Sequence, residues 1–221
     1  MTKLEIAATT LEDALAAQRG GADSIEISRD LALGGLTPPL EVVQAARDAL
    51  TITIHAIVRP HARDFYYSEL EIEQILRDAR AFAALGVGVV FGAQMANGKL
   101  DIALIQQVAE AASGVPITVH RALDSCTNPD EALHLLSGVI PRALTSGPAA
   151  SAWEGRDGLR RWVATFGHNI RFVASGAITL EQLRPLADHT GVHEVHLGGA
   201  ARTNGAVDAA KVARLKAALQ S

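Results

Sequence analysis

Short runs rich in Ile, Val, Leu and Phe alternate along this chain with longer segments whose apolar positions recur at helical spacing. The strand-like runs are Lys3–Ala7, Ser24–Ile27, Thr51–Val58, Val87–Phe91, Pro116–His120, Arg142–Thr145, Arg171–Ala174 and Glu194–Leu197. Such runs suit parallel strands covered by helices. The segments between them open on helix-start signals. Thr10-Leu11-Glu12-Asp13 reads as a capping box with Asp in place of Glu, and Thr179-Leu180-Glu181-Gln182 as one closed by Gln. Asn128-Pro129 sets a proline just inside a start, and Gly20, Gly21, Gly86 and Gly191 stand where helices end. Eight strand–helix units of about 27 residues predict an α/β fold, a single-domain TIM-type (β/α)8 barrel. An open doubly wound sheet would want a glycine-rich turn after the first strand, where Ala7-Ala8-Thr9-Thr10 stands instead. No linker or low-complexity stretch divides residues 1–221.

In such a barrel the chemistry gathers at the C-terminal ends of the strands and in the loops that follow. The first strand holds Glu5 and the second Glu26, while the third offers His55 and runs into Arg59. The fifth ends in His120-Arg121-Ala122-Leu123-Asp124, and the eighth carries Glu194 and His196. Alternation along a strand lets Glu5, Glu26, His55 and His120 face the interior. Each taken singly also has a structural explanation, facing the helices or pairing at the base of the barrel. Together, carboxylates beside arginines and histidines make a polar cavity suited to proton transfer or anion binding. Glu5, Glu26, His55, Arg59, His120, Arg121, Asp124, Glu194 and His196 are therefore the candidate catalytic set. Ser146 and Gly147 after the sixth strand, Ser175 and Gly176 after the seventh, and Gly198 and Gly199 after the eighth form a candidate anion site. Backbone N–H groups in such turns can close on a phosphate or carboxylate. Tight turns that simply need glycine are the plainer alternative.

Composition narrows the partners. Lys and Arg number 20 against 24 Asp and Glu, for a net charge of −4, and aromatic residues make up only 4%. Neither a basic field nor a stacking platform for nucleic acid is present. The first residues show no signal-peptide apolar region, and no run reaches membrane-spanning length, so a cytoplasmic protein is expected. The single cysteine, Cys126, excludes an intrachain disulfide and a zinc site built from several thiolates. Arg156, Arg160 and Arg161 read as a solvated helix face, and Trp153 and Trp162 as packing residues.

The pieces Lys3-Leu4-Glu5-Ile6, Gly20-Gly21-Ala22-Asp23-Ser24-Ile25-Glu26, Gly34-Gly35-Leu36-Thr37-Pro38 and His55-Ala56-Ile57-Val58-Arg59-Pro60 form an ordered series. It continues through Asp64-Phe65-Tyr66-Tyr67-Ser68, Val89-Val90-Phe91-Gly92-Ala93, His120-Arg121-Ala122-Leu123-Asp124, Leu144-Thr145-Ser146-Gly147 and Glu194-Val195-His196. In order and spacing this series resembles the CutC family, often called the copper homeostasis proteins. The resemblance implies a TIM-type barrel, a homo-oligomer, and a role in cytoplasmic copper homeostasis, with copper the one cofactor it suggests. Family members commonly carry cysteine after the first two strand carboxylates, whereas this chain reads Glu5-Ile6-Ala7 and Glu26-Ile27-Ser28. Arg59-Pro60-His61-Ala62-Arg63 replaces the usual Arg-Pro-Arg-Gly-Gly. Cu(I) favours thiolate and thioether ligands, and one Cys and two Met do not make a multi-sulfur site. Cu(II) or Zn(II) on His55, His61, His120 or His196 remains open, as does a barrel enzyme of isomerase, lyase or aldolase type acting on a phosphorylated or carboxylated metabolite. A Schiff-base aldolase is disfavoured, because Lys3, Lys99, Lys211 and Lys216 all lie away from the strand ends. A non-catalytic assembly protein is the third reading.

Overall fold

The computed structural model describes residues 2–220. Its strands are β1 (Lys3–Ala8), β2 (Ser24–Ile27), β3 (Thr53–Ile57), β4 (Gly88–Phe91), β5 (Ile117–Val119), β6 (Arg142–Thr145), β7 (Arg171–Ser175) and β8 (Glu194–Leu197). All eight are parallel, each pairs with the next, and β8 returns to β1 with Glu5 opposite His196. The barrel is closed. Its outer ring is α1 (Leu11–Arg19), α2 (Leu40–Ala49), α3 (Glu69–Ala84), α4 (Ile102–Ala111), α5 (Pro129–Leu136), α6 (Arg156–Phe166), α7 (Leu180–Thr190) and α8 (Ala209–Gln220). A small hairpin, β9 (Arg202–Thr203) and β10 (Ala206–Val207), sits between β8 and α8.

Every expected strand is present, and the differences at the ends have local causes. β3 begins at Thr53 because Thr51 is held by the Gln18 side chain, whose Oε1 accepts from the Thr51 N–H at 2.8 Å and its hydroxyl at 3.2 Å. His120 falls just beyond β5 and starts a 3-10 turn over Arg121–Leu123. Alternation sends Leu4, Ile6, Ile25, Ile27, Phe91 and Phe172 outward into one apolar layer between strands and helices. Each such fully buried side chain contributes about 1.5–3 kcal/mol. Trp162 of α6 is wholly buried and donates its indole N–H to Asp130 Oδ1 at 2.6 Å, fastening α6 to α5. Arg161 reaches the same carboxylate from a solvated position.

The helix starts follow the signals with one correction. Pro129 opens α5, and at α7 the Thr179 N–H donates to Gln182 Oε1 at 3.2 Å. At α1 the Thr10 hydroxyl caps the Asp13 N–H (3.1 Å), but the Asp13 carboxylate does not return to Thr10. One methylene shorter than Glu, it accepts instead from the Thr9 N–H (3.0 Å) and hydroxyl (2.7 Å). Its remaining capacity goes to the Val207 N–H (2.8 Å) and to Arg202 Nη1 (2.9 Å). A further full reciprocal capping box, Ser-Glu-Leu-Glu at 68–71, opens α3.

Burial alone would raise the Asp13 pKa, but the Val207 and Thr9 hydrogen bonds and Arg202 hold it below the ordinary Asp value of 3.8. A lowered folded-state pKa stabilises the fold above the unfolded value and loses that contribution as pH falls through the folded one. Asp13→Ala should cost about 3 kcal/mol, since it leaves a mostly buried guanidinium with carbonyl acceptors but no counter-charge. Urea denaturation at neutral pH measures the loss, and the gap to wild type should narrow in strong acid.

Candidate functional site

The inner faces of the strands build two polar layers. In the lower layer Arg142 of β6 is the centre. Its Nη2 donates to Glu5 Oε2 and to Glu194 Oε2, each at 2.8 Å, and its Nη1 to Thr118 Oγ1 at 3.1 Å. Glu5 Oε2 also meets His55 Nδ1 at 2.8 Å and the Ser24 hydroxyl at 3.2 Å, while Glu5 Oε1 meets His196 Nδ1 at 3.0 Å. Burial works against the ionised Glu5, but Arg142 and the two histidines outweigh it, holding the carboxyl well below its ordinary range. For Arg142, burial is likewise outweighed by Glu5 and Glu194, and the guanidinium is held above its ordinary value. The layer needs room at β4. A Cβ on Gly88 would lie 2.5 Å from the His55 ring.

The upper layer opens into a cavity of about 1380 Å³ at the C-terminal mouth, lined by Glu26, His196, His120, Arg59, Arg121 and Asp124 among apolar neighbours such as Phe65 and Leu144. Glu26 is 7% exposed, and no described residue donates a hydrogen bond to its carboxyl. Burial and then the charge of Glu5 raise its pKa, against the lowering pull of His196. In His196, burial is outweighed by Glu26 and Glu5, so its pKa is raised. An ionised Glu5 is acceptor-only, which fixes a proton on His196 Nδ1 and leaves Nε2 as the other working nitrogen. Donor atoms of Glu5, Glu26 and His196 lie within 4.8 Å of one another.

His120 sits against Gly92, the residue after β4, where an added Cβ would lie 2.6 Å from its Nδ1. That nitrogen accepts the Ala122 N–H at 3.1 Å. Burial first, and Arg59 second, push the ring's pKa down to about 3, so His120 is neutral with its hydrogen on Nε2. Asp124 is committed: Arg121 Nε (2.7 Å), the Ser146 N–H (3.0 Å) and hydroxyl (2.8 Å) and the Thr145 hydroxyl all donate to it.

The structure sorts the expected residues into three places. Glu26, His120, His196, Arg59, Arg121 and Asp124 share the cavity wall, as do Ser175, Gly176, Gly198 and Gly199. Glu5, His55 and Glu194 lie one layer below, Glu5 and Glu194 held by Arg142 and His55 by Glu5. Ser146 and Gly147 do not line this cavity. Ser146 is fully buried and spends its hydroxyl on Asp124 and the Ala149 carbonyl, and Gly147 at φ +62° packs against Gly155. His55, His61, His120 and His196 do not gather into one metal cluster among the described residues.

The remaining glycines differ in their reasons. Gly176 needs glycine for its φ of +112°, whereas Gly199 has no positive φ and an added Cβ there would meet nothing within 4 Å. Its turn therefore does not require glycine on steric grounds. Lys211 and Arg214 of α8 complete this rim. Lys211 reaches the cavity from α8 although it lies away from the strand ends, but its Nζ is held by the Arg202 carbonyl at 2.5 Å. Arg142, Gly88 and Gly92 were also not singled out. Two inward carboxylates without a cation, and glycines one strand away from inward histidines, were the available signals.

Comparison with known proteins places this barrel among relatives. The chain is 36% identical over 215 residues to a CutC family protein of Glaesserella parasuis, covering 96% of this chain and 88% of that one. It is 40% identical over 195 residues to one of Mesorhizobium japonicum, covering 87% and 76%. The CutC protein of Streptococcus agalactiae superposes with a TM-score of 0.84 at 25% identity, over 90% of this chain and 98% of that one. A phosphoribosyl anthranilate isomerase of Thermotoga maritima superposes at 0.69 with 16% identity over 100% and 99%, a likeness of fold alone. The CutC family model matches residues 2–201, and the chain belongs to the CutC family.

Proposed function

We propose that this chain binds a small anionic metabolite at the barrel mouth and moves a proton to and from it through Glu26 and His196. The observation that carries the reading is the Glu26 carboxyl: buried, without a hydrogen-bond donor, and beside a histidine whose other nitrogen is fixed by Glu5. A raised carboxyl pKa brings a base toward neutral pH, where proton transfer is most effective. Glu26 takes the proton from the substrate, and His196 Nε2 receives or returns one on the cavity side. Ser175, whose hydroxyl has no partner among the described residues, joins Gly198, Gly199 and Arg214 to receive a phosphate or carboxylate. Glu5, His55, Glu194 and Arg142 position this pair and do not touch the substrate. The chemistry is of the isomerase or lyase kind, and needs no Schiff base.

Copper comes to this reading from the family. The Streptococcus agalactiae relative is described as a copper homeostasis protein. On that pattern the chain serves copper handling in the cytoplasm as a homo-oligomer. No described helix is long and apolar enough to cross a membrane. The donors present do not fit Cu(I). Cys126 is buried, burial pushes its thiol pKa up, and neither it nor Met95 lines the cavity. Among the described residues the one cluster of three donors is Glu5, Glu26 and His196, two carboxylates and an imidazole without sulfur, with the Arg142 guanidinium 2.8 Å from Glu5. A link to copper is therefore indirect in this reading, through a metabolite and not through a tightly held ion.

Calorimetric titration separates these arms. Inorganic phosphate should bind saturably and Cu(I) should not, while His196→Ala should keep the phosphate arm. Saturable Cu(I) binding with none for phosphate would sink the proposal.

Glu26→Gln gives a second prediction. A carboxyl whose folded pKa is raised stabilises the fold below its unfolded pKa and loses that contribution as pH rises through the folded one. The neutral amide removes this penalty, so the variant should melt higher than wild type at neutral pH, and the advantage should fade in acid. Turnover of a substrate found by screening phosphorylated carbonyl compounds should fall about 10²–10⁴-fold.

A further inference from the structure

His120 leaves a hydrogen-bonding atom unused at the cavity wall. Its Nδ1 is occupied by the Ala122 N–H, which assigns the hydrogen to Nε2, and Nε2 has no partner. Arg59 repeats the pattern. Its Nη1 donates to the Leu33 carbonyl at 3.0 Å, its Nη2 reaches the Ala62 carbonyl at 3.4 Å, and its Nε is buried and unpartnered. Buried donors left unpaired are costly and rare, so two of them at one cavity wall call for a physical reason.

Phe65 supplies the connection. Its ring lies 4.9 Å from the His120 ring and 4.9 Å from the Arg59 guanidinium carbon, touching both. Phe65 is only partly buried, and all three side chains line the mouth cavity. The backbone beneath it is anchored, since Gln94 donates to the Phe65 carbonyl at 2.8 Å. The ring can therefore turn aside about its own side-chain bonds while the chain stays in place.

We propose that the His120 Nε2–H and the Arg59 Nε–H form a paired donor site for a substrate carboxylate, which Phe65 covers in the free protein and yields on binding. Charge selects the carboxylate. One guanidinium and one neutral imidazole present a single positive charge, matching a carboxylate better than a doubly charged phosphate. The slot that a phenyl ring vacates is flat, as a carboxylate is. Resting on the reading of the mouth as a metabolite site, the substrate class becomes a small phosphorylated carboxylic acid. Its phosphate lies on the Gly198–Gly199 side and its carboxylate on the His120 side.

Calorimetry with three probes tests this: inorganic phosphate, glycolate and phosphoglycolate. Phosphoglycolate should bind wild type at least about tenfold more tightly than phosphate, the ratio expected from one charge-assisted contact. His120→Leu should lower that ratio by at least about threefold, the Arg59 donor remaining, and leave phosphate affinity within about twofold, as expected for a neutral donor that contacts only the carboxylate. His120→Gln, which keeps an N–H donor near Nε2, should retain most of the ratio. Phe65→Ala should tighten glycolate binding by removing the cover. If His120→Leu does not fold, the His120→Gln and Phe65→Ala titrations decide. An unchanged ratio in His120→Leu, or phosphate binding without any gain for phosphoglycolate, overturns the carboxylate site and leaves the metabolite reading standing. Failure of both phosphate and phosphoglycolate to bind wild type overturns both. A nitrogen-15 NMR spectrum showing the His120 hydrogen on Nδ1 overturns the donor assignment by a route independent of any ligand.

Discussion

One guanidinium organises the interior of this barrel. Arg142 stands between Glu5 and Glu194, and without it Glu5 would keep only histidine partners and Glu194 only the half-exposed Arg171. A buried ion pair is a modest source of net stability, because both partners lose their water. Its effect here is geometric. By keeping Glu5 ionised, Arg142 makes that carboxylate an obligate acceptor, and His55, Ser24 and His196 all turn toward it.

The polarity then rises through the barrel in steps. Glu5, neutralised from below, still repels the next carboxyl above it, and Glu26 is the residue that feels it. Two glutamates thus take opposite protonation behaviour from their positions alone: the lower is flooded with donors, and the upper has none. His120 is set by a third environment, with burial and a neighbouring guanidinium keeping it uncharged. The same interior holds a fixed anion, a titratable carboxyl and a neutral imidazole, which is the range of groups that acid–base chemistry needs.

The barrel was legible because its outward faces carry the apolar signal: Ile, Val, Leu and Phe recur at every second strand position against the helices. The inward faces were legible as polar but not as layered. Alternation says which way a side chain points and not how high it stands along the axis, so Glu5 and Glu26 looked equivalent although only Glu26 reaches the cavity. Ser146 looked like a phosphate ligand because Ser-Gly after a strand is common to anion loops and to tight turns. Only the position of Asp124 tells them apart. Gly88 and Gly92 were invisible for a related reason, since the need for glycine arises from a ring on the neighbouring strand.

The Asp13 carboxylate has a consequence for how the chain is made. Its partner Arg202 lies 189 residues further along, and Val207 further still. At about 5–20 residues per second of synthesis, Asp13 is made roughly 10–40 s before either exists. During that interval the Asp13 carboxylate has only Thr9 and water as partners. The N-terminal units therefore cannot reach their final packing one by one as they emerge. The last step of ring closure completes the first helix, and assembly of the barrel is tied to the arrival of its C-terminal hairpin.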